Sequence, residues 1–440
     1  MGKPLREAPM RTAGLIREII DSRLLRPTSR AFVATILWLL AWWDYTLAVI
    51  CFSVAGGYFF YQLFITHNIF WDINFYSAVV KAMAAGVSPY DNTYLSDTLN
   101  VVGYPFGFVY PPLVAEVFYK FQWLFITRTG LTLLLITHVI SWLSIPFLLA
   151  GSPRNWYSRN FLYVWGLYVF LFGLGGMRLL VVGNIAAILF APIIFSIVVA
   201  VRTKDYKLFW VTILVCSFVK FYLLAFLLLP VILDKRYLSA IAVTCALFAL
   251  YTLNYFVSPE LFSEYVTQIA AQASASSNIG WTIYSLASEI INRTLGRNTG
   301  QLSLAIALGI HLVLVVAIIL IAYSIAERKP RPDHFNLFCC WLFIAAFLIS
   351  PRVSDYDLAV VIVPFVLLAR MLLIERGLGV GVAVAVAAIG FSFMRTPPSF
   401  ETELSKWSAI FAIIGIWFGA AVHWLTTVHT DQVQEKSRAT

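Results

Sequence analysis

Apolar runs long enough to cross a membrane recur along almost the whole chain, from Ala31 to Val428. A helix needs roughly 20 apolar residues to cross the hydrocarbon core of a bilayer. Lipid offers no hydrogen-bonding partners, so a chain built from such runs has to satisfy its backbone groups within helices. The pattern therefore predicts an all-α polytopic membrane protein.

The composition excludes a soluble domain. The chain has 440 residues, of which 60% are hydrophobic and 12% charged, and its mean hydropathy is +0.83. A soluble protein of this size could not cover its surface with so few charges. The net charge of +9 does not indicate a nucleic-acid partner, because residues 1–30 hold seven of the basic residues. This bias is typical of a cytoplasmic N-terminus.

We predict twelve crossings within a transmembrane domain at 44–428. It lies between a basic cytoplasmic N-terminus with an interfacial helix (1–43) and a cytoplasmic tail (429–440). The predicted crossings are 44–66, 111–126, 131–150, 161–177, 180–201, 208–233, 237–257, 302–325, 335–350, 358–374, 378–395 and 406–427.

Two long loops, 67–110 and 258–301, then lie on the extracytoplasmic side and are expected to carry short interfacial helices. One basic loop, "RTKDYK" at 202–207, disagrees with this topology. The predicted crossings put it on the extracytoplasmic side, whereas basic loops favour the cytoplasmic side. If 208–233 were two short helices that meet at Lys220, this loop could lie on the cytoplasmic side. The number of crossings would then change by one, which requires another half-span nearby. The topology around 161–236 is left open by the sequence.

The first long loop places a carboxylate at the end of an apolar run, in "FWDINFY". The pattern from Asp72 to Ala85 is helical and puts Asp72 and Tyr76 on its apolar side. A carboxylate that is partly desolvated there is a candidate general base, since burial raises a carboxyl pKa toward neutrality. The alternative is that Asp72 caps the helix or faces lipid headgroups.

Several motifs follow this carboxylate in a characteristic order. Asp72 and Tyr76 precede "GVSPY" (86–90), and later come "YPP" (110–112), "VVGNIAAIL" (181–189), "SFVKFYLLAFLLLPVILDKR" (217–236), "NIGWTIYSL" (278–286) and "SPRVSDYDLAVVIVP" (350–364). Over about residues 70–370 this order resembles glycosyltransferase family 87, whose members are GT-C-type integral membrane enzymes. In one respect the chain departs from the family, because many relatives carry histidine where this chain has Tyr356.

The resemblance implies transfer of a sugar from a polyprenyl-phosphate donor to an extracytoplasmic acceptor hydroxyl, with inversion. Such a reaction needs a base near the acceptor, a cation for the lipid phosphate and an apolar groove. Asp72 is the expected base. The expected phosphate-binding residues are Lys220, Arg352 and Arg178, of which Arg178 ranks last because the predicted topology puts it on the cytoplasmic side. Snorkelling or an internal ion pair is the alternative for Lys220.

Polar and aromatic residues near the same motifs are candidates for binding the sugar or the acceptor. They are Tyr76, Tyr104, Tyr110, Asn184, Trp281, Tyr284, Asp355 and Tyr356. The loop aromatics also fit the aromatic belt of a membrane protein, and Asp355 also fits a helix N-terminus. The sequence contains no metal motif, and the lipid-linked sugar is expected as substrate with no cofactor.

The acceptor is left open between a glycolipid, a glycan and a protein, and the sugar between mannose, arabinofuranose and another hexose. A bacterial inner membrane is the expected setting. The main alternative function is a polytopic transporter or lipid-linked sugar flippase, which predicts internal repeats and paired charges at mid-membrane. A ligase that moves a whole glycan, or a scaffold for an envelope complex, are further alternatives with less support in the sequence.

Overall fold

The computed structural model describes residues 43–66, 69–100, 107–150, 159–274, 300–328, 335–351, 353–376 and 409–426, with isolated positions between 282 and 291. The regular elements in these ranges are all helices. Six helices are long and apolar enough to cross a membrane, and a bent helix pair makes a seventh. The predicted all-α polytopic class is therefore confirmed, whereas the number of twelve crossings is not established.

The described ranges are built almost wholly from helices. In chain order they are α1 (Trp43–Phe64), α2 (Trp71–Ala84), α3 (Asn92–Leu99), α4 (Pro112–Lys120), α5 (Trp123–Ile126), α6 (Arg128–Ala150), α7 (Arg159–Val182), α8 (Ala186–Thr203), α9 (Lys207–Val219), a 3₁₀ helix (Phe221–Leu227), α10 (Leu228–Asp234), α11 (Tyr237–Val257), α12 (Pro259–Ser274), α13 (Gly300–Glu327), α14 (Phe335–Ile349), a second 3₁₀ helix (Asp355–Leu358), α15 (Ala359–Arg376) and α16 (Ala409–Thr426). The predicted N-terminal segment before Trp43, the crossing at 378–395 and the tail at 429–440 lie outside the described residues.

The crossing predicted at 111–126 is wrong. This segment forms α4 and α5, which have nine and four residues and are too short to span a bilayer. Phe118 and Phe125 instead pack edge-on against Tyr76 of α2, with ring centroids 5.4 and 6.4 Å away. The short helices α2–α5 thus enclose an aromatic core of their own, beside the membrane helices.

The crossing predicted at 208–233 is also wrong, because this segment is a helical hairpin. Its first leg, α9, ends where Lys220 adopts an extended backbone, and the 3₁₀ helix and α10 form the second leg. The open ends of the two legs, near Lys204 and Asp234, are called the hairpin feet here. They are joined, since Lys204 Nζ donates to Asp234 Oδ1 at 3.1 Å and the Tyr206 hydroxyl donates to the same carboxylate. At 1.5 Å per residue, α9 places Lys220 roughly 20 Å from these feet.

Without these two crossings, the topology no longer places the basic loop at 202–207 on the extracytoplasmic side. The loop at 202–207 now lies at the same end of the molecule as Asp234–Arg236, as its basic charge favours. In addition, α7 is bent by 75° near Phe172–Leu174 but continues to Val182 without a connecting loop. Arg178 therefore lies at the end of the molecule that carries α2, not at the opposite end.

The buried centre of the bundle is α14, where residues 341–346 are almost fully enclosed. By contrast, α11 and α13 expose large apolar side chains such as Leu238, Phe256 and Val313, which is expected of helices that face lipid. The Phe335 ring of α14 lies 5.6 Å from Lys204 Nζ, beside the hairpin feet. The other end of α14 leads to the Asp355–Leu358 turn at the α2 end, so this short helix connects the two ends of the bundle.

Candidate active site

Close backbone packing brings the start of α2 against the turn between α7 and α8. The Phe70 N–H donates to Val181 O at 2.6 Å. Gly183 has a φ of +69°, and a Cβ there would lie 3.0 Å from Phe70 Cα and 3.2 Å from Ile73. Only glycine combines this backbone conformation with this approach. The contact fixes Asn184, the next residue, beside the first turn of α2.

Asp72, Asn184 and Tyr356 form one hydrogen-bonded group. The Asn184 Nδ2 donates to Asp72 Oδ2 and to the Tyr356 hydroxyl, the latter at 2.9 Å. The Asn184 Oδ1 accepts from the Ala186 N–H at 2.8 Å, and Asn184 is only 3% exposed. All polar atoms of this amide are thus engaged within the protein. Its geometry therefore suits holding the Asp72 carboxylate better than the predicted role of binding sugar.

Asp72 itself does not cap α2. The N-cap position belongs to Phe70, which has no side-chain cap, and Asp72 lies in the first turn. The Asn184 amide donates to this carboxylate and holds its orientation. The helix-cap alternative is therefore excluded by the position of Asp72, whereas its role as base stays a prediction.

A buried ion pair adjoins this group. Lys220 Nζ, at the tip of the hairpin, lies 3.7 Å from Asp357 Oδ1, and the two side chains are 8% and 0% exposed. Asp357 is oriented by its own turn, since its Oδ2 accepts from the Ser354 N–H at 2.9 Å in a capping box. Lys220 Nζ also lies 5.2 Å from the ring centroid of Tyr356 and 5.5 Å from that of Tyr222.

Tyrosine hydroxyls form a third side of the site. The hydroxyls of Tyr76 and Tyr110 lie 3.0 Å apart, and Tyr90 donates to the Tyr110 carbonyl at 2.7 Å. Burial raises the pKa of Tyr76 well above its usual range, and the neighbouring Tyr110 and Asp72 raise it further. Burial, followed by the charges of Asp72 and Asp357, raises the pKa of Tyr356 likewise. These phenols therefore stay neutral hydrogen-bonding groups at physiological pH.

Of the other predicted site residues, the structure describes the side chains of Arg178 and Tyr284. Arg178 is half-buried near the end of α7, at the same end of the molecule as Asp72. Tyr284 packs against His311, with ring centroids 6.0 Å apart, in a small separate cluster. Asp355 begins the second 3₁₀ helix, but its side chain lies outside the described residues. Tyr104, Trp281 and Arg352 lie outside them entirely.

Asp357 and Tyr222, which lie near Lys220, are not among the site residues predicted above. The sequence allows Asp357, like Asp355 and Tyr356, to bind sugar hydroxyls or a positive centre or to serve a helix N-terminus, and "SDYD" has the serine and carboxylate spacing of a capping box. Tyr222 follows Lys220 within an apolar run and gives no polar signal of its own. Within the described part of the chain, no three histidine, cysteine or acidic side chains converge as a metal site would require.

Comparison with known proteins identifies the family of the chain. A family model described as glycosyltransferase family 87 matches residues 108–351, more than half of the chain. The matched stretch contains Asn184 and Lys220, whereas Asp72 and Tyr356 lie on either side of it. No curated protein and no solved structure matched the chain. The chain belongs to glycosyltransferase family 87.

Proposed function

We propose that this glycosyltransferase moves a sugar from a polyprenyl-phosphate donor to a hydroxyl of a glycolipid, glycan or protein, with inversion. The observation that carries the proposal is that a carboxylate and a buried cation meet in one connected group. Asp72 is linked through Asn184 to Tyr356, and the Tyr356 ring covers the ammonium of Lys220. Family membership favours sugar transfer over the transporter and flippase alternatives.

The proposed step is a single displacement at the anomeric carbon. The acceptor oxygen forms a bond to C1 while the bond from C1 to the phosphate oxygen breaks. The acceptor proton passes to Asp72, and the bonding electrons leave on the polyprenyl phosphate. Lys220 offsets the negative charge that develops on this leaving group, which is the largest charge change in the reaction. The neutral tyrosines supply hydrogen bonds to the sugar and do not compete with Asp72 for the acceptor proton.

The charge distribution supports an extracytoplasmic site. At the end of the bundle opposite Asp72, exposed basic residues surround the hairpin feet: Arg202, Lys204, Lys235 and Arg236. Basic residues of short loops concentrate on the cytoplasmic side of membrane proteins. The group containing Asp72 and Lys220 would then lie at the outer surface of a plasma membrane. The hairpin brings a cation to that surface without crossing the membrane.

The donor class is tested with purified protein in nanodiscs and a membrane glycolipid extract as acceptor. We expect release of polyprenyl phosphate from at least one member of a panel carrying mannose, arabinofuranose, glucose or galactose. The sugar that is consumed names the donor. Guanosine diphosphate mannose serves as the control, because no described element forms a soluble nucleotide-binding domain. Consumption of the nucleotide sugar without consumption of any lipid-linked sugar would contradict the proposal.

The Gly183→Ala substitution is expected to lower turnover about 100-fold, because a displacement of about 1 Å at a reacting group costs this much. The new Cβ would press on the Phe70 backbone and move Asn184 away from Asp72. Turnover and thermal unfolding are measured together. Gly86→Ala is the matched control: Gly86 also has a positive φ, of +74°, but has no atom within 4 Å of the new Cβ. Equal losses in both variants would attribute the effect to backbone strain alone.

A further inference from the structure

The last two turns of α11 contact both halves of the candidate site. Tyr251 and Asn254 lie three residues apart on this helix, and residues with that spacing share one face. Asn254 is fully buried, and Tyr251 is half-buried. Asn254 contacts the start of α4, whereas Tyr251 contacts the end of α9 beside the hairpin tip. The proposed mechanism uses neither residue.

Asn254 supplies a hydrogen bond that the start of α4 needs. Pro112 begins this helix and has no N–H, and the first N–H groups of a helix have no partner within it. The next one, the Leu113 N–H, donates to Asn254 Oδ1 at 2.9 Å. The Nδ2 of the same amide donates to the Leu250 carbonyl of α11 at 2.9 Å. The amide is therefore held on its own helix, and its oxygen fixes the backbone three residues after Tyr110.

Tyr251 holds the hairpin tip in a similar way. Its hydroxyl donates to the Phe218 carbonyl at 3.2 Å, two residues before Lys220. The last carbonyls of a helix also lack partners within it. The Tyr251 ring packs edge-on against Phe218 and Phe221, with centroids 5.6 and 5.8 Å away. Its hydroxyl is also hydrogen-bonded with Tyr265 of α12. Tyr251 therefore contacts the chain on both sides of the break at Lys220.

We propose that Asn254 is a positioning residue, which holds Tyr110 at a fixed distance from Lys220 through one turn of α11. This inference rests on the proposed function. The transfer breaks the bond between the sugar and the phosphate, so the groups that bind these two parts have to be held at a fixed separation. Tyr110, paired with Tyr76 at 3.0 Å, lies on the sugar side, and Lys220 lies on the phosphate side. The turn of α11 is a rigid connection between them.

The test is a double-mutant cycle of Asn254→Leu and Tyr110→Phe. Leucine has nearly the shape of asparagine but no oxygen for the Leu113 N–H. We expect Asn254→Leu to lower kcat about 10- to 100-fold, because a misplacement of about 1 Å costs up to about 100-fold. The dissociation constant of polyprenyl phosphate should stay unchanged, since Lys220 is not moved. In Tyr110→Phe the same substitution should lower kcat much less, because the hydroxyl that it displaces is already absent.

Two further variants of α11 serve as controls. Asn254→Asp keeps a side-chain oxygen that can accept from the Leu113 N–H, so it should keep most of the wild-type rate. Thr252→Val removes an exposed hydroxyl that donates to the Phe248 carbonyl of the same helix, and it should turn over like wild type. If Asn254→Leu does not fold, Asn254→Ala replaces it in the cycle, since it removes the same oxygen and adds no atom.

The outcomes separate this inference from the proposed function. Independent effects multiply to within about twofold. If wild type turns over a lipid-linked sugar and Asn254→Leu lowers kcat by the same factor with and without the Tyr110 hydroxyl, the inference fails alone and Asn254 has only a structural role. A rate of Asn254→Leu equal to that of Thr252→Val, or a rate of Asn254→Asp as low as that of Asn254→Leu, would also contradict it. If wild type consumes no lipid-linked sugar, the proposed function fails, and the assignment of Asn254 fails with it.

Discussion

Asp72→Asn is expected to lower turnover about 1,000-fold while donor binding persists. General-base catalysis contributes on the order of 100- to 10,000-fold, and an amide cannot accept the acceptor proton. The side-chain oxygen of the substituted amide can still accept the hydrogen bond from Asn184, so the geometry of the site should be retained. Single-turnover release of polyprenyl phosphate measures the chemical step, and binding of the intact donor is measured separately.

Asp97→Asn is the control for this substitution. Asp97 is an exposed acid of α3 at the same end of the molecule, so its removal changes the local net charge equally without touching the site. It should turn over like wild type. If Asp72→Asn turns over at the rate of Asp97→Asn, Asp72 is not the base. If Asp72→Asn instead weakens donor binding but keeps the single-turnover rate at saturating donor, the Asp72 carboxylate binds sugar hydroxyls.

The class of the fold could be predicted from the sequence because lipid imposes a length and a polarity on every crossing helix. The same rule produced the two wrong crossings. Residues 208–233 are apolar enough to span, but the helix is interrupted at one residue, Lys220, and its feet are tied by Lys204 and Asp234. The hydrophobicity of a segment does not distinguish one crossing helix from a hairpin of two shorter helices. Only the disagreement of the basic loop at 202–207 pointed to it.

The candidate site could be predicted in part, because the motifs include most of its members. The structure brings Asp72, Asn184, Lys220 and Tyr356 together from four segments. The motifs do not indicate which of these residues contact one another. Asn184 and Tyr356, for example, are hydrogen-bonded but lie 172 residues apart in the chain. The amide's role toward Asp72 and the neutralisation of Lys220 by Asp357 depend on such contacts. No local pattern encodes them.

Lys220→Met and the double variant Lys220→Met/Asp357→Asn are expected to differ in stability but not in function. Lys220→Met leaves a buried carboxylate without its cation, which costs about 3–5 kcal/mol of unfolding free energy. In the double variant, the amide that replaces this carboxylate is neutral, and its oxygen can still accept from the Ser354 N–H. Most of the lost stability should therefore return. Thermal unfolding in detergent measures this recovery.

Donor binding should stay lost in both variants, because neither restores a cation for the phosphate. The ion pair at the feet of the same hairpin supplies the control. Lys204→Met/Asp234→Asn removes a pair in which the lysine side chain is 54% exposed, so about 1 kcal/mol or less is expected, with unchanged affinity for polyprenyl phosphate. If the Lys220 double variant recovered donor affinity as well as stability, the buried ion pair would have only a structural role. If only stability is recovered, a neutral pair serves the fold as well as the ion pair does. The buried lysine, which is costly to the fold, is then present because it binds the ligand.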